Sequence, residues 1–278
     1  MTDATALPIG VFDSGFGGLT VVRALRERLP CEQLIYLGDT ARVPYGTKSA
    51  DTVVRYAQQI ADFLLERSIK YLIIACNTAS AHAIEPLRGE LSIPVLGVVE
   101  PGARTAAALS QSGKVGVLGT LGTVSSGAYQ RAMQTMRSDL VVFSQPCPLL
   151  VPLAEEGWTH HTVTEQVISR YLLELRSSAG DLDTLVLGCT HYPILRDAIA
   201  TQAARIFGHQ VELVDSAEAT AAAAAGDLLN SNLQATQRPG RDRFYFTDVN
   251  RFHEIATRFL GAPCDRAERA DLSPRARP

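Results

Sequence analysis

Short apolar runs of four or five residues recur along the chain. They alternate with longer stretches in which apolar residues return every three or four positions. The short runs, rich in β-branched residues and Leu, have the pattern of parallel strands buried on both faces. They are Ile9–Phe12, Leu34–Leu37, the run from Tyr71 to Cys76, Pro94–Val99, Val115–Leu118, Leu140–Ser144, the run from Leu185 to Cys189, Val211–Val214 and Phe244–Thr247. The longer stretches predict helices over Leu19–Leu29, Asp51–Ser68, from Thr78, over Val124–Met136 and Val163–Arg176, from Ile194, and over Ala217–Leu229 and Val249–Leu260. In Asp51–Ser68 the apolar positions are Val54, Ala57, Ile60, Ala61 and Leu64, one helical face. Gln145–Gly157 reads as a long proline-marked loop, 231–243 as a polar connection and 263–278 as a disordered tail.

Two stretches share one design. YLIIACNTAS (71–80) and LVLGCTHYP (185–193) each carry a strand into a cysteine, then into small polar residues and a helix start. PIGVFDSGFG (from Pro8) and KVGVLGTLGT (from Lys114) are a second such pair, offset by 106 residues, while Cys76 and Cys189 lie 113 apart. Similar offsets in the same order indicate an internal duplication. The expected fold is therefore α/β: two similar parallel-sheet α/β domains related by pseudo-symmetry, with the site in the cleft between them. The boundaries place 1–98 and 209–262 in a first, discontinuous domain and 99–208 in a second.

Composition narrows the class without naming the chemistry. The chain has 278 residues, 46% of them hydrophobic, and a formal charge of −3, so it lacks a basic footprint for nucleic acid. No apolar run reaches the ~18 residues of a membrane span, and no signal peptide is read. Five cysteines without disulfide-like spacing fit a reducing cytoplasm, and the absence of CxxC and HExxH argues against a metal site. DSGFGG after the first strand is a glycine-rich strand-to-helix turn, but it is not GxGxxG, which argues against a dinucleotide.

The chemistry is carried by Cys76 and Cys189. Each is expected at the carboxyl end of a strand, the edge where α/β sheets bind ligands, and beside a helix N-terminus, which lowers a thiol's pKa. Strand-end cysteines are commonly inert core, and Cys31, Cys147 and Cys264 are left on that side. Two facing thiols suit inversion of a carbon: one thiolate removes a proton while the opposite thiol delivers one. Asp13 and His191, one from each half, are placed to poise them, although Asp13 equally reads as a helix cap. Trp158, His160 and His161 read as packing and surface groups.

Together IGVFDSGFGGLTV, YLGDTARVPYGTKS, IACNTASA, VLGVVEPGA and LVLGCTHYPIL resemble the glutamate racemases of the aspartate/glutamate racemase superfamily, from about Pro8 to Leu260. The resemblance implies cofactor-independent interconversion of L- and D-glutamate for peptidoglycan, with no pyridoxal phosphate, metal or nucleotide, and a homodimer. It implies Cys76 and Cys189 as the proton donor/acceptors, the first for the D- and the second for the L-enantiomer, with Asp13, His191 and Glu155 as catalytic helpers. Glu156 beside Glu155 leaves that assignment open by one residue. It further implies substrate contacts from Asp13, Ser14, Tyr45, Gly46, Asn77, Thr78, Thr120, Thr123, Thr190 and His191. Three alternatives stay open: aspartate racemase or another two-cysteine member, a hydrolase or transferase with one nucleophilic cysteine, and a non-catalytic binding module.

Overall fold

The computed structural model describes residues 3–264 and 266–272. Ten strands and eleven α-helices follow one another as β1 (Ile9–Asp13), α1 (Leu19–Arg28), β2 (Leu34–Gly38), α2 (Ala50–Leu65), β3 (Tyr71–Ile74), α3 (Asn77–Glu90), β4 (Val95–Gly97), α4 (Val99–Leu109), β5 (Lys114–Gly119), α5 (Leu121–Ser126), α6 (Ala128–Met136), β6 (Val141–Pro146), α7 (Leu150–Glu155), α8 (Thr162–Ala179), β7 (Thr184–Gly188), α9 (Arg196–Phe207), β8 (Glu212–Asp215), α10 (Ser216–Asn230), β9 (Arg243–Phe246), α11 (Phe252–Leu260) and β10 (Glu268–Arg269) among the described residues. They build two parallel sheets, one ordered β10-β9-β2-β1-β3-β4 and the other β6-β5-β7-β8. The run β2-β1-β3-β4 and the run β6-β5-β7-β8 have the same order, so the repeat read in the sequence is a repeat of topology.

The central strands β1, β3 and β7 are buried at every residue, as their unbroken apolar runs require when helices cover both faces. Helix α2 is capped by Ser49, whose hydroxyl accepts from Thr52 N, and buries Val53, Ala57, Ile60, Ala61 and Leu64. Its inner stripe thus runs through Val53 rather than the expected Val54. The stretch expected as one helix over Val124–Met136 is two, α5 and α6, broken at Gly127, whose φ of 64° ends the first.

Four expectations are corrected. Helix α4 occupies Val99–Leu109, where no helix is expected, so of the run Pro94–Val99 only Val95–Gly97 is strand; Pro101 falls in the helix's first turn, where a missing N–H costs nothing. Helix α7 lies inside the segment read as a loop, 145–157. The first domain does not resume at 209, because β8 pairs with β7 in the smaller sheet. Nor is the segment from 263 without structure. Glu268 and Arg269 pair with Tyr245 and Phe246, and Cys264 and Ala270 are buried; residues 265 and 273–278 lie outside the described residues.

The polar connection 231–243 is tied down by a buried ion pair. Lys70 Nζ lies 2.7 Å from Glu32 Oε2, with both side chains at most 2% exposed. The same ammonium donates to the carbonyls of Thr5 and Leu233, and Glu32 Oε1 accepts from Ala235 N. Replacing Lys70 by Met leaves Glu32 a buried charge without its cation, so Lys70→Met is expected to cost about 3–5 kcal/mol in urea-unfolding experiments.

Candidate active site

The carboxyl ends of β1, β3, β5 and β7 meet around a cavity of about 220 Å³. Its wall includes Ser14, Tyr45, Gly46, Cys76, Asn77, Thr78, Thr120, Glu155, Cys189, Thr190 and His191. Asp13 and Thr123 stand directly behind this wall. Thr123 shares a hydroxyl cluster with Thr78 and Thr120, with oxygen–oxygen distances of 2.8–3.2 Å. Asp13, wholly buried, accepts from Gly15 N at 2.9 Å and from Thr190 Oγ1 at 3.4 Å. Every residue proposed from the sequence is thus brought to one place. Val43, Pro44, Gly15 and Val151 complete the wall, which among the described residues contains no Lys or Arg.

The two thiols reach the cavity by different local routes. Cys76 is itself the N-cap of α3, its sulfur accepting from Ala79 N at 3.4 Å and lying 3.5 Å from Ser14 Oγ. Cys189 leads instead into a short 3₁₀ turn, Tyr192–Leu195, and α9 begins only at Arg196. Both sulfurs belong to residues 5% exposed. Burial, reinforced by the negative charge of Asp13, pushes the Cys76 thiol up to about 12 despite the Ala79 and Ser14 hydrogen bonds. The depressed value expected beside a helix N-terminus is therefore corrected: at this depth desolvation outweighs the helix end. Asp13 is also raised by its burial, against the opposing pull of His191 and the N–H groups of Gly15 and Gly18.

On the other side, His191 Nδ1 is 3.8 Å from Cys189 Sγ and its Nε2 is 2.9 Å from Glu155 Oε1. Burial disfavours the imidazolium, but the hydrogen bonds and charges of Cys189 and Glu155 outweigh it and push the His191 pKa up to about 10. Glu155 is lowered, since its hydrogen bond and charge interaction with His191 overcome desolvation. The paired glutamates at the end of α7 have different partners: Glu155 faces His191, and Glu156 reaches Arg251 at 2.9 Å. Helix α11 braces this corner, with Phe259 edge-on to His191 at 5.0 Å and Arg258 donating to the Glu155 carbonyl.

Close approach of the two halves depends on Gly17. A Cβ there would lie 2.3 Å from Thr190 Oγ1 and 2.4 Å from His191 Nδ1. Gly17→Ala is therefore expected to push the imidazole off Cys189 and lower turnover by about 10²-fold, the order of loss for an ~1 Å misplacement, with little change in melting temperature. Asn77 supplies a different signal. Its Oδ1 accepts from Tyr129 OH at 2.7 Å, while its buried Nδ2 has no partner among the described residues and is available to a ligand.

The fold is thus two parallel-sheet α/β units, with a thiol from each facing one small cavity. Residues 18–224 match the Asp/Glu/Hydantoin racemase family, an isomerase family, and the chain belongs to it. The chain is 51% identical to the glutamate racemase of Geobacter metallireducens, over 91% of this chain and 92% of that one. It is equally identical to that of Syntrophus aciditrophicus, over 95% and 97%. Among solved structures it is similar to a glutamate racemase of Bacillus anthracis (TM-score 0.90, 38% identity, 96% and 98% covered). It is also similar to that of Francisella tularensis in complex with D-glutamate (TM-score 0.88, 37% identity, 97% and 99% covered). Among the described residues no helix is long and apolar enough to cross a membrane.

Proposed function

We propose that this enzyme interconverts L- and D-glutamate without a cofactor, through proton transfer by Cys76 and Cys189, and that it supplies D-glutamate for peptidoglycan. The observation that carries the reading is the pair of thiols on one 220 Å³ cavity, each with its own proton-holding neighbour, Asp13 for Cys76 and the His191–Glu155 pair for Cys189. In the L-to-D direction the Cys189 thiolate takes the α-proton while the Cys76 S–H delivers its proton to the opposite face of the carbon. Cys189 ends as the thiol and Cys76 as the thiolate, and the D-to-L direction runs the same transfers backwards. His191, cationic at neutral pH, lies 3.8 Å from Cys189 Sγ and places a positive charge beside the sulfur that takes the proton.

The developing carbanion and the carboxylates need donors rather than fixed cations in this wall. Asn77 Nδ2, the hydroxyls of Ser14, Thr78, Thr120 and Thr190, and the main chain around Gly46 fill that role. Glutamate is chosen over aspartate because the relatives named above are glutamate racemases. An aspartate racemase of Picrophilus torridus shares the fold at 17% identity.

One specific arrangement favours a second reading. Cys189, His191 and Glu155 also form a nucleophile–base–orienter series, the geometry of a hydrolase or transferase with one catalytic cysteine. The deciding measurement is circular dichroism of L-glutamate, and separately of L-aspartate, with dialysed enzyme in D₂O. Decay of the glutamate signal to zero with deuterium at the α-carbon is the expected result. Decay with aspartate alone would move the substrate, and silence with both would leave the single-nucleophile reading.

A further inference from the structure

The Tyr45–Gly46 segment reaches the cavity from a loop, not from a strand end, so something outside the cavity must hold it there. That anchor is Asp39, wholly buried at the end of β2 and absent from the cavity wall. Its Oδ2 accepts from the Tyr45 hydroxyl and, at 2.7 Å, from Arg42 Nε; its Oδ1 accepts from Thr247 Oγ1 at 3.0 Å. Its own N–H donates to the carbonyl of Asp13 at 3.0 Å, so one residue is bonded both to the turn behind Cys76 and to the loop in front of it.

The rest of the cluster points the same way. Arg42 balances the carboxylate, donates to Gln59 Oε1 at 2.5 Å and stacks 4.0 Å over the Tyr56 ring, which in turn packs 5.6 Å from the Tyr45 ring. The phenol of Tyr45, 1% exposed, is thereby spent on Asp39, leaving its ring and main chain to face the cavity. Past Tyr45 the chain crosses to the smaller sheet: a Cβ on Gly46 would lie 2.8 Å from Thr120 Cβ, and one on Gly122 would lie 3.0 Å from Gly46 O. The loop is thus clamped between Asp39 on one unit and the α5 turn on the other.

We propose that Asp39 is a positioning residue that acts through the Tyr45 hydroxyl to hold the Pro44–Gly46 segment closed over Cys76 and the substrate. It touches neither substrate nor thiol. Loss of the clamp weakens ground-state binding and leaves the proton transfers nearly intact, so the effect falls on KM. The proposal rests on the racemase reading, and the test separates the two.

Asp39→Asn keeps the shape but places an amide where two donors converge; Tyr45→Phe removes only the hydroxyl. Each is expected to raise KM for glutamate at least tenfold with kcat within threefold. The double variant is expected to be no worse than the more severe single one, since both remove one interaction. A KM within twofold of wild type for Asp39→Asn, or multiplied effects in the double variant, would overturn the proposal. A second readout needs no substrate: iodoacetamide labelling of Cys76, followed by peptide mass spectrometry, is expected to quicken at least fivefold in both single variants well below their melting temperatures. Should wild type prove inert toward glutamate, the substrate reading alone fails. Labelling then decides, with unchanged rates overturning the clamp and faster rates supporting it.

Discussion

Replacing either Cys76 or Cys189 by alanine is expected to abolish racemisation in both directions, to below about 10⁻⁴ of wild type, the upper end of what one positioned acid or base contributes. The argument is stoichiometric. Inversion requires a proton to leave one face and another to arrive on the opposite face, and the cavity offers one thiol for each. The neighbours cannot substitute. Asp13 is behind the wall and already accepts from Gly15 N and Thr190 Oγ1, and His191 is engaged by Cys189 and Glu155. Both variants should stay folded, since the change removes one sulfur from a site supported by α3 and β7, and a thermal melt checks this. The observable is optical rotation of L- and of D-glutamate with each variant. Near-normal turnover in Cys76→Ala, with Cys189→Ala dead, would assign the chemistry to the single nucleophile series Cys189–His191–Glu155.

The inner strands are readable because they are buried on both faces, which forces continuous apolar runs: Ile9–Phe12 and Leu34–Leu37 each match a strand to within one residue. Elements whose partners lie far away in sequence are not. Helix α4 was hidden because Pro101-Gly102 is turn punctuation in isolation and first-turn helix in context. Strand β10 was hidden because an edge strand is held by main-chain bonds to β9, to which the Arg- and Asp-rich composition of the segment from 263 gives no clue. In the site, the repeated strand–cysteine unit pointed to both thiols, since their placement follows from strand ends. The direction of the Cys76 shift did not follow, because sequence shows the helix end and not the depth of burial. Asp39 left no signal either. Its three acceptor contacts come from residues 42, 45 and 247, and only folding brings the last to it.

His191→Asn and Asp13→Asn are expected to slow turnover on the order of 10²-fold, the lower range for general acid–base assistance, but to leave different isotopic signatures. The two enantiomers have equal free energy, so kcat/KM must remain equal in the two directions for any variant, and asymmetry has to be sought elsewhere. It appears in the primary isotope effect. On the proposed assignment of His191 to Cys189, its loss raises the barrier for the transfer at that sulfur. With α-deuterated L-glutamate the deuteron crosses that raised barrier, and the isotope effect on kcat/KM should grow toward its intrinsic value. With α-deuterated D-glutamate the deuteron is removed by Cys76 in a step that is now reversible before the slow one, and the effect should shrink. Asp13→Asn should give the mirror pattern, on the proposed assignment of Asp13 to Cys76. In wild type, activity should also fall as pH rises toward about 10, where His191 loses its proton, and this alkaline limb should be absent from His191→Asn. Equal isotope effects from the two enantiomers in both variants would show that the helpers act on the cavity as a whole, and the assignment of one helper to each thiol would then be wrong.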